Sequence, residues 1–281
     1  MYYILYNRMT RVIFYYQTFE TSDNKFISLD PILYENTPVT HIHVSSIHFG
    51  IDSNKEPYIH LNNKSPYSEV FDNVWDTIQA AESKNISIIA MIGGAGGGYS
   101  SLFSNFDMFY DLLYNFLKNK PFISGIDLDI EEEVDINNVK KLINKIINDF
   151  GEDYIITTAP VLSSLISDTP GMGGFCYKTL LNSKEGSYIK YINCQAYYNY
   201  TLTSLQKIVE NGYDVNQIVM GMIAGESYSD ELLKMVKTYG SKLGGIFVWE
   251  YFNTQPTPQK WLSQVGNILN KTTISNFCTI S

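Results

Sequence analysis

Eight short runs of apolar, largely β-branched residues recur along this chain, and amphipathic stretches of helical period separate them. Each run is apolar on both faces, as a strand inside a buried parallel sheet must be. The predicted strands are Val12–Tyr16, His41–Ile47, Ile86–Ile92, Ile123–Ile130, Tyr154–Ala159, Tyr191–Tyr197, Ile218–Ile223 and Gly245–Trp249.

This alternation is typical of an α/β fold in which strands and helices take turns over about 250 residues, the (β/α)8 TIM barrel. An open, doubly wound sheet is the alternative, because alternation alone does not prove that the sheet closes. No linker or abrupt change of composition divides the chain. We therefore predict one barrel domain over residues 1–281, with its site at the C-terminal ends of the strands.

The stretches between the strands predict helices. One of them has Asp135 before its first residue as a plausible N-cap. Another places Val70, Val74, Ile78 and Ala81 on one face. The predicted helices are Glu69–Ser83, Phe106–Leu117, Asn137–Phe150, Leu202–Glu210, Asp230–Tyr239 and Gln259–Leu269. The helix between the fifth and sixth strands has the least clear pattern.

The charge balance argues against anionic partners. The chain has 20 Lys and Arg against 29 Asp and Glu, a net charge of -9, which repels nucleic acid and anionic membranes. No stretch approaches the roughly 18 apolar residues of a membrane span. We expect a monomer with a neutral substrate and no cofactor.

The compartment stays open. The segment Met1–Thr10 is too short for a signal peptide before the first strand, so we expect either an intracellular protein or one whose leader was removed. Cys176, Cys194 and Cys278 are odd in number and widely spaced. They therefore indicate buried thiols rather than a disulfide or metal framework.

The fourth predicted strand carries three acids at alternate positions, Asp127, Asp129 and Glu131. Side chains in a strand alternate between faces, so all three project to one side. A packing strand would have Val or Ile there. Repulsion within such a set forces one member to hold its proton near neutral pH, which makes it a general acid. Glu131 is outermost and best placed to act on a substrate.

Two other interpretations of these acids remain. A solvated acidic turn is the better account of Glu132 and Glu133, which extend past the strand. Clustered carboxylates also suit magnesium or calcium, although no companion ligand set is visible and we predict no metal. The Gly-rich run Gly93–Gly98 lacks the spacing of a phosphate-binding loop, and close backbone approach at a barrel rim explains it better.

At these residues the chain resembles glycoside hydrolase family 18, which contains chitinases and endo-β-N-acetylglucosaminidases. The family signature Asp-Gly-x-Asp-x-Asp-x-Glu is matched by residues 124–131, except that Ser124 replaces the first Asp. Met91-Ile92-Gly93-Gly94 resembles the family's Gly-Gly motif, Gln195-Ala196-Tyr197 its sixth strand and residues 245–252 its eighth. The resemblance covers nearly the whole chain.

The resemblance implies a retaining mechanism in which the N-acetyl group of the substrate is the nucleophile. Glu131 is then the proton donor, Asp129 orients the acetamide and Asp127 lies beneath it. Tyr197 hydrogen-bonds the acetamide. The implied substrate-binding residues are Gln195, Trp249, Gly94 and Tyr15.

The departure at Ser124 bears on the proton relay. The family's first Asp is expected to lie deepest and to support the next two acids, and Ser carries no charge. We expect this change to alter the pH profile more than to abolish activity.

The implied activity is cleavage of β-1,4 links between N-acetylglucosamine units, in chitin oligosaccharides or in the chitobiose core of N-glycans. A catalytically inactive, lectin-like oligosaccharide-binding protein on the same scaffold is the alternative. Retention of Glu131 disfavours that alternative.

Overall fold

The structure, a computed structural model, describes the backbone of residues 10–275 and the side chains of residues 10–270. Cys278 and the outermost ends of the predicted domain lie outside the described residues. Eight parallel strands and one antiparallel strand form a single sheet. The strands are β1 (Arg11–Tyr16), β2 (His41–Ile51), β3 (Pro57–Leu61), β4 (Ser87–Gly93), β5 (Ile123–Asp129), β6 (Ile155–Thr158), β7 (Ile189–Gln195), β8 (Ile218–Ile223) and β9 (Gly245–Trp249).

The parallel strands close into a barrel. Their order is β1-β9-β8-β7-β6-β5-β4-β2, and β1 pairs with β2 to complete the circle. The closing register puts Ile13 opposite His41 and Tyr16 opposite Val44, while Val12 pairs with Ile246 on the other side. The predicted TIM barrel is therefore confirmed, and the open doubly wound sheet is wrong.

The strands bury both faces because each separates two cores. Inside the barrel, a small cluster is packed from alternate strand positions and contains Ile13, Tyr15, Met91, Tyr191, Val219 and Phe247. Outside, a larger core fills the space between the strands and the surrounding helices. This two-sided burial explains why the runs read as continuously apolar.

The longer helices agree with the predicted ones to within three residues at each end, except that the last helix continues six residues past its predicted end at Leu269. The helices are α1 (Asp72–Glu82), α2 (Tyr99–Ser104), α3 (Phe106–Asn119), α4 (Ile136–Phe150), α5 (Ser163–Ile166), α6 (Tyr177–Leu181), α7 (Leu202–Glu210), α8 (Ser229–Tyr239) and α9 (Pro258–Ser275). Asp135 is the N-cap of α4, and its side chain accepts from the Asn137 backbone N–H. The prediction that Val70 belongs to the apolar face of the helix is wrong. Val70 lies in a 3-10 turn before α1 and is 45% exposed.

Two features differ from the predicted pattern. After β6 the chain forms only the short helices α5 and α6, because the intervening segment Ser167–Gly174 contains Pro170 and three glycines. In addition, β2 continues to Ile51 and pairs antiparallel with β3, which the sequence analysis did not predict. The β2–β3 hairpin stands at the C-terminal end of the barrel, beside the predicted site.

Candidate active site

The three alternating acids lie in a row that runs from the barrel interior to its C-terminal mouth. Asp127 is fully buried and Asp129 is 5% exposed. Glu131 follows the end of β5 and is half-buried. The accessibility of the acids therefore increases along the row, from the inaccessible Asp127 to Glu131, which a ligand can reach.

Asp127 is held by side chains from neighbouring and distant strands. Its Oδ2 accepts from the Tyr15 hydroxyl at 2.8 Å. Its Oδ1 accepts from Thr157 Oγ1 at 2.5 Å and from Asn193 Nδ2 at 3.2 Å. His43 Nδ1 lies 3.4 Å from Oδ2, at ion-pair distance but without hydrogen-bond geometry. Both oxygens are therefore satisfied in the ionised state.

These partners decide the charge of Asp127. Burial alone raises the pKa of this carboxyl group, but the adjacent His43 and the hydrogen bonds from the hydroxyls of Thr157 and Tyr15 outweigh it. The net effect lowers the pKa of Asp127 below its ordinary value. Asp127 is therefore a fixed negative charge beneath the site.

Gln195 joins the two outer acids. Its Nε2 donates to Asp129 Oδ1 at 3.0 Å, to Glu131 Oε1 at 3.3 Å and to the Ala159 carbonyl at 2.8 Å. The Ala159 contact anchors the Gln195 side chain to the end of β6. One amide thus holds both carboxyl groups in a common orientation.

Asp129 has the opposite electrostatic environment to Asp127. Burial raises its pKa well above the ordinary value, and the charges of Glu131 and Asp127 raise it further. The hydrogen bond from Gln195 opposes this shift but does not cancel it. Asp129 is therefore the member of the row that keeps a proton, with an ionised neighbour below it.

Gly94 brings backbone close to this proton-holding group. Its N–H donates to the Asp129 carbonyl at 2.9 Å, and its φ of +75° is one that side-chain-bearing residues rarely adopt. A Cβ there would lie 3.2 Å from Asp129 Oδ2. Gly94 therefore lies against the carboxyl group of Asp129.

Aromatic rings from β1, β7 and β9 line the same end of the barrel. Tyr15 packs 5.3 Å from Trp249 and 5.0 Å from Phe247. Tyr197 and Trp249 are partly exposed, whereas Tyr15 is 2% exposed. Burial raises the pKa of Tyr197 well above its ordinary value, as do the charges of Asp129 and Glu131, so its hydroxyl stays protonated as a donor.

Tyr15 differs from the role that the resemblance implies. Its ring is buried and its hydroxyl is committed to Asp127, so it supports that carboxylate and offers no surface to a ligand.

Ser124 also lies differently from expectation. Its Oγ donates to the Ile88 carbonyl on β4 at 3.1 Å. Ser124 is also where the pairing with β4 becomes irregular, since Ile88 lies opposite Ile123 and Ile89 opposite Gly125. The expectation that residue 124 lies deepest in the proton relay is wrong, because Tyr15, Thr157, Asn193 and His43 surround Asp127 instead.

Glu132 is not merely part of a solvated turn. Its carboxylate accepts from the Tyr99 backbone N–H and the Ser100 hydroxyl, at the start of α2. This contact ties residues 131–135, the acidic loop between β5 and α4, to the Gly-rich run at residues 93–98. The Gly97 carbonyl of that run contacts His48 Nδ1 at 2.7 Å. Glu133 is exposed, as the solvated interpretation predicts.

Sequence reasoning missed three residues of the site, Thr157, Asn193 and His43. Asn193 has a usable signal, since it lies two residues before Gln195 and so shares its face. Thr157 is the register partner of Asp127, which only the structure reveals. His43 was assigned to the core or rim, and it is buried against Asp127 and 3.1 Å from the Tyr191 hydroxyl.

Among the described side chains of residues 10–270, no group of three or more His, Cys, Asp or Glu residues is arranged to hold a metal ion. The helices in this part of the chain are all too short or too polar to cross a membrane. Cys194 is buried and Cys176 half-buried, and both are free thiols.

Comparison with known structures finds the same fold in other proteins. A fungal endo-β-N-acetylglucosaminidase from glycosyl hydrolase family 18 superposes with a TM-score of 0.82 and 29% identity, covering 93% of this chain and 98% of that one. The chitinase ChiC from Aspergillus fumigatus gives 0.79 and 28%, covering 92% and 99%. A xylanase-α-amylase inhibitor protein, XAIP-I, solved with trehalose, shares the fold alone at 0.59 and 18%, covering 92% and 98%.

No curated protein matches this chain significantly. The sequence profile of the glycosyl hydrolases family 18 matches residues 11–241, which include β1–β8 and the whole acidic row. Two of the matches, at 29% and 28% identity, are an endo-β-N-acetylglucosaminidase and a chitinase. On the profile match, this chain belongs to glycosyl hydrolases family 18.

Proposed function

We propose that this protein is an active glycosidase that cleaves β-1,4 links between N-acetylglucosamine units with retention of configuration. The observation that carries the proposal is the Gln195 amide, which holds Asp129 and Glu131 together above the ionised Asp127. Members of the family bind N-acetylglucosamine oligosaccharides. An accessible acid beside a buried, proton-holding one suits a substrate whose own acetamide is the nucleophile.

The chemistry proceeds in two displacements. In the first, the acetamide carbonyl oxygen attacks the anomeric carbon, and the bond to the leaving oxygen breaks as Glu131 protonates that oxygen. Asp129 accepts a hydrogen bond from the acetamide N–H through its carbonyl oxygen, and the negative charge of Asp127 beneath it stabilises the positive oxazolinium charge. In the second, Glu131 takes a proton from water while the water oxygen attacks the anomeric carbon. The bond between that carbon and the acetamide oxygen breaks, so the oxazolinium ring opens and the acetamide is restored. Two inversions give net retention.

The remaining residues hold the acetamide. Tyr197 is protonated at every relevant pH and donates to the acetamide oxygen. Trp249 stacks on the acetamide methyl group and the sugar face. Asp127 is fully buried and does not contact the substrate. Its negative charge acts from beneath Asp129.

The test of the proton donor is Glu131→Gln, which keeps the size of the side chain and removes the transferable proton. Positioned general acids contribute about 10²- to 10⁴-fold, so we expect at least that loss of kcat on chitotetraose with oligosaccharide binding retained. Glu133→Gln is the matched control, since Glu133 is exposed in the same loop. Wild-type turnover in Glu131→Gln would refute the assignment.

The alternative within the family concerns the substrate. Comparing product release from chitotetraose and from a high-mannose N-glycoprotein, by mass spectrometry, distinguishes a chitinase from an endo-β-N-acetylglucosaminidase. Binding without cleavage of either would favour the lectin-like protein.

A further inference from the structure

Tyr198 adopts a backbone conformation that is unfavourable for its side chain. Its φ is +59°, in the left-handed region, where bulky residues are genuine outliers. Of the six non-glycine residues with positive φ within residues 10–275, four are asparagine, one is Lys55 and one is Tyr198. Asparagine tolerates this region and tyrosine does not, so backbone preference does not account for a tyrosine here.

Burial does not account for it either. The Tyr198 side chain is 79% exposed, the largest fraction among the exposed large hydrophobic residues of the described chain. Covering apolar area stabilises a fold, and this ring covers little. Neither local conformation nor core packing therefore explains the residue.

The strained backbone is held by a specific contact. The Tyr198 N–H donates to Glu226 Oε1 at 2.9 Å, and the Ile223 N–H donates to the same oxygen at 3.2 Å. Glu226 lies in the loop after β8, so the contact links the C-terminal ends of β7 and β8. Strain of this kind persists where the surroundings enforce it, and it clusters at ligand sites.

Tyr198 lies at the same end of the barrel as the three alternating acids. It directly follows Tyr197, whose ring lies 6.4 Å from Phe247. Tyr198 comes after the end of β7 and Glu131 after the end of β5, so both lie at the C-terminal end of the barrel. We propose that Tyr198 is a substrate-binding residue at the rim, stacking on a pyranose ring of the oligosaccharide beyond the ring held over Trp249. This inference rests on the proposed function and adds a specificity determinant to it.

The test separates the ring from the backbone. In a Glu131→Gln protein, which cannot turn over substrate, we compare Tyr198→Asn, Tyr198→Phe and the control Tyr67→Asn, in which the replaced tyrosine is 51% exposed before α1. Titration calorimetry measures Kd for chitotetraose and for a high-mannose Asn-linked glycopeptide, so the two sources of pyranose rings are distinguished.

Tyr198→Asn is expected to weaken binding about 3- to 10-fold, because an aromatic stacking contact is lost. Tyr198→Phe keeps the ring and stays within about twofold of the parent, as does Tyr67→Asn. At the same time Tyr198→Asn raises Tm by roughly 1–3 °C, because asparagine accepts the left-handed conformation. A purely structural role would give no such pairing of higher stability with weaker binding.

Two results would overturn the inference while leaving the proposed function intact. One is a Tyr198→Asn protein that binds both ligands as tightly as its parent, and the other is a Tyr198→Phe protein that loses as much affinity as Tyr198→Asn. If the parent itself bound neither oligosaccharide, the proposed function would fail and the inference with it.

Discussion

Asp127 and Asp129 occupy neighbouring positions on one face of β5, yet their pKa values shift in opposite directions. The difference comes from their partners. Asp127 receives hydrogen bonds from two hydroxyls and an amide, whereas Asp129 receives one amide hydrogen bond from another side chain and faces two carboxyl groups. A buried acid is thus ionised or neutral according to how many donors surround it.

This difference predicts a pH-dependent stability effect. The pKa of Asp129 is raised on folding, so above about pH 4 the folded chain holds a proton that the unfolded chain has lost. Its stabilising contribution is present in acid and is lost as the pH rises towards the folded pKa. Asp129→Asn removes that loss, so we expect its Tm to exceed that of the wild type by about 2 °C or more near pH 8, with the gap closing near pH 4.

Asp127→Asn is the matched contrast, measured in the same calorimetric series. The pKa of Asp127 is lowered on folding, so its contribution is present above its unfolded value and is lost as the pH falls through the folded one. We therefore expect Asp127→Asn to lower Tm at neutral pH, by less as the pH falls below about 4. Parallel pH profiles for the two variants would contradict the assigned charges.

At the scale of elements, α4 follows the acidic loop and begins at a cap that the sequence predicts. Asp135 accepts from the Asn137 N–H at 2.8 Å and satisfies one of the free donors of the first turn. Loss of such a cap costs about 1 kcal/mol. Asp135→Ala is therefore expected to lower the free energy of unfolding in urea by about that amount.

The control for the cap is Asp111→Ala, an exposed position inside α3. Alanine is the better helix former there, so this variant is expected to be neutral or slightly more stable. Equal losses from the two variants would show that Asp135 does not act as a cap.

Several elements were predictable because their signal is local. The eight barrel strands are two-sided apolar runs, and the acidic row follows from the period of two along β5. β3 escaped prediction because its pairing depends on a hairpin whose turn contains Lys55 at positive φ. The partners of Asp127 escaped for a different reason: Thr157 and His43 reach it through the register of other strands, which one sequence does not encode locally.

At the scale of the whole molecule, barrel closure depends on close packing in the interior. Gly221 on β8 lies under the ring of Phe247 on β9, and a Cβ on Gly221 would overlap that ring. Overpacking of this kind costs about 1–3 kcal/mol. We therefore expect Gly221→Ala to lower the free energy of unfolding by at least that amount, as measured in urea.

A second substitution tests the cause. Phe247→Leu removes the ring that a Cβ on residue 221 would meet, so the double variant Gly221→Ala with Phe247→Leu is expected to lose less than the sum of the two single losses. Strict additivity would assign the effect of Gly221→Ala to the backbone instead of to this contact.

The groups around Asp127 come from strands that are far apart in the sequence. The acid lies on β5, and the groups around it come from β1, β2, β6 and β7. Residues from the first strand of the barrel and from its second half therefore meet at the two carboxylate oxygens of Asp127. A fragment that ends before β7 lacks the Asn193 donor, and one that begins after β1 lacks the Tyr15 donor, however well the remaining strands form. Neither half of the chain contains the full set of groups around Asp127, so neither half forms this part of the barrel interior without the other.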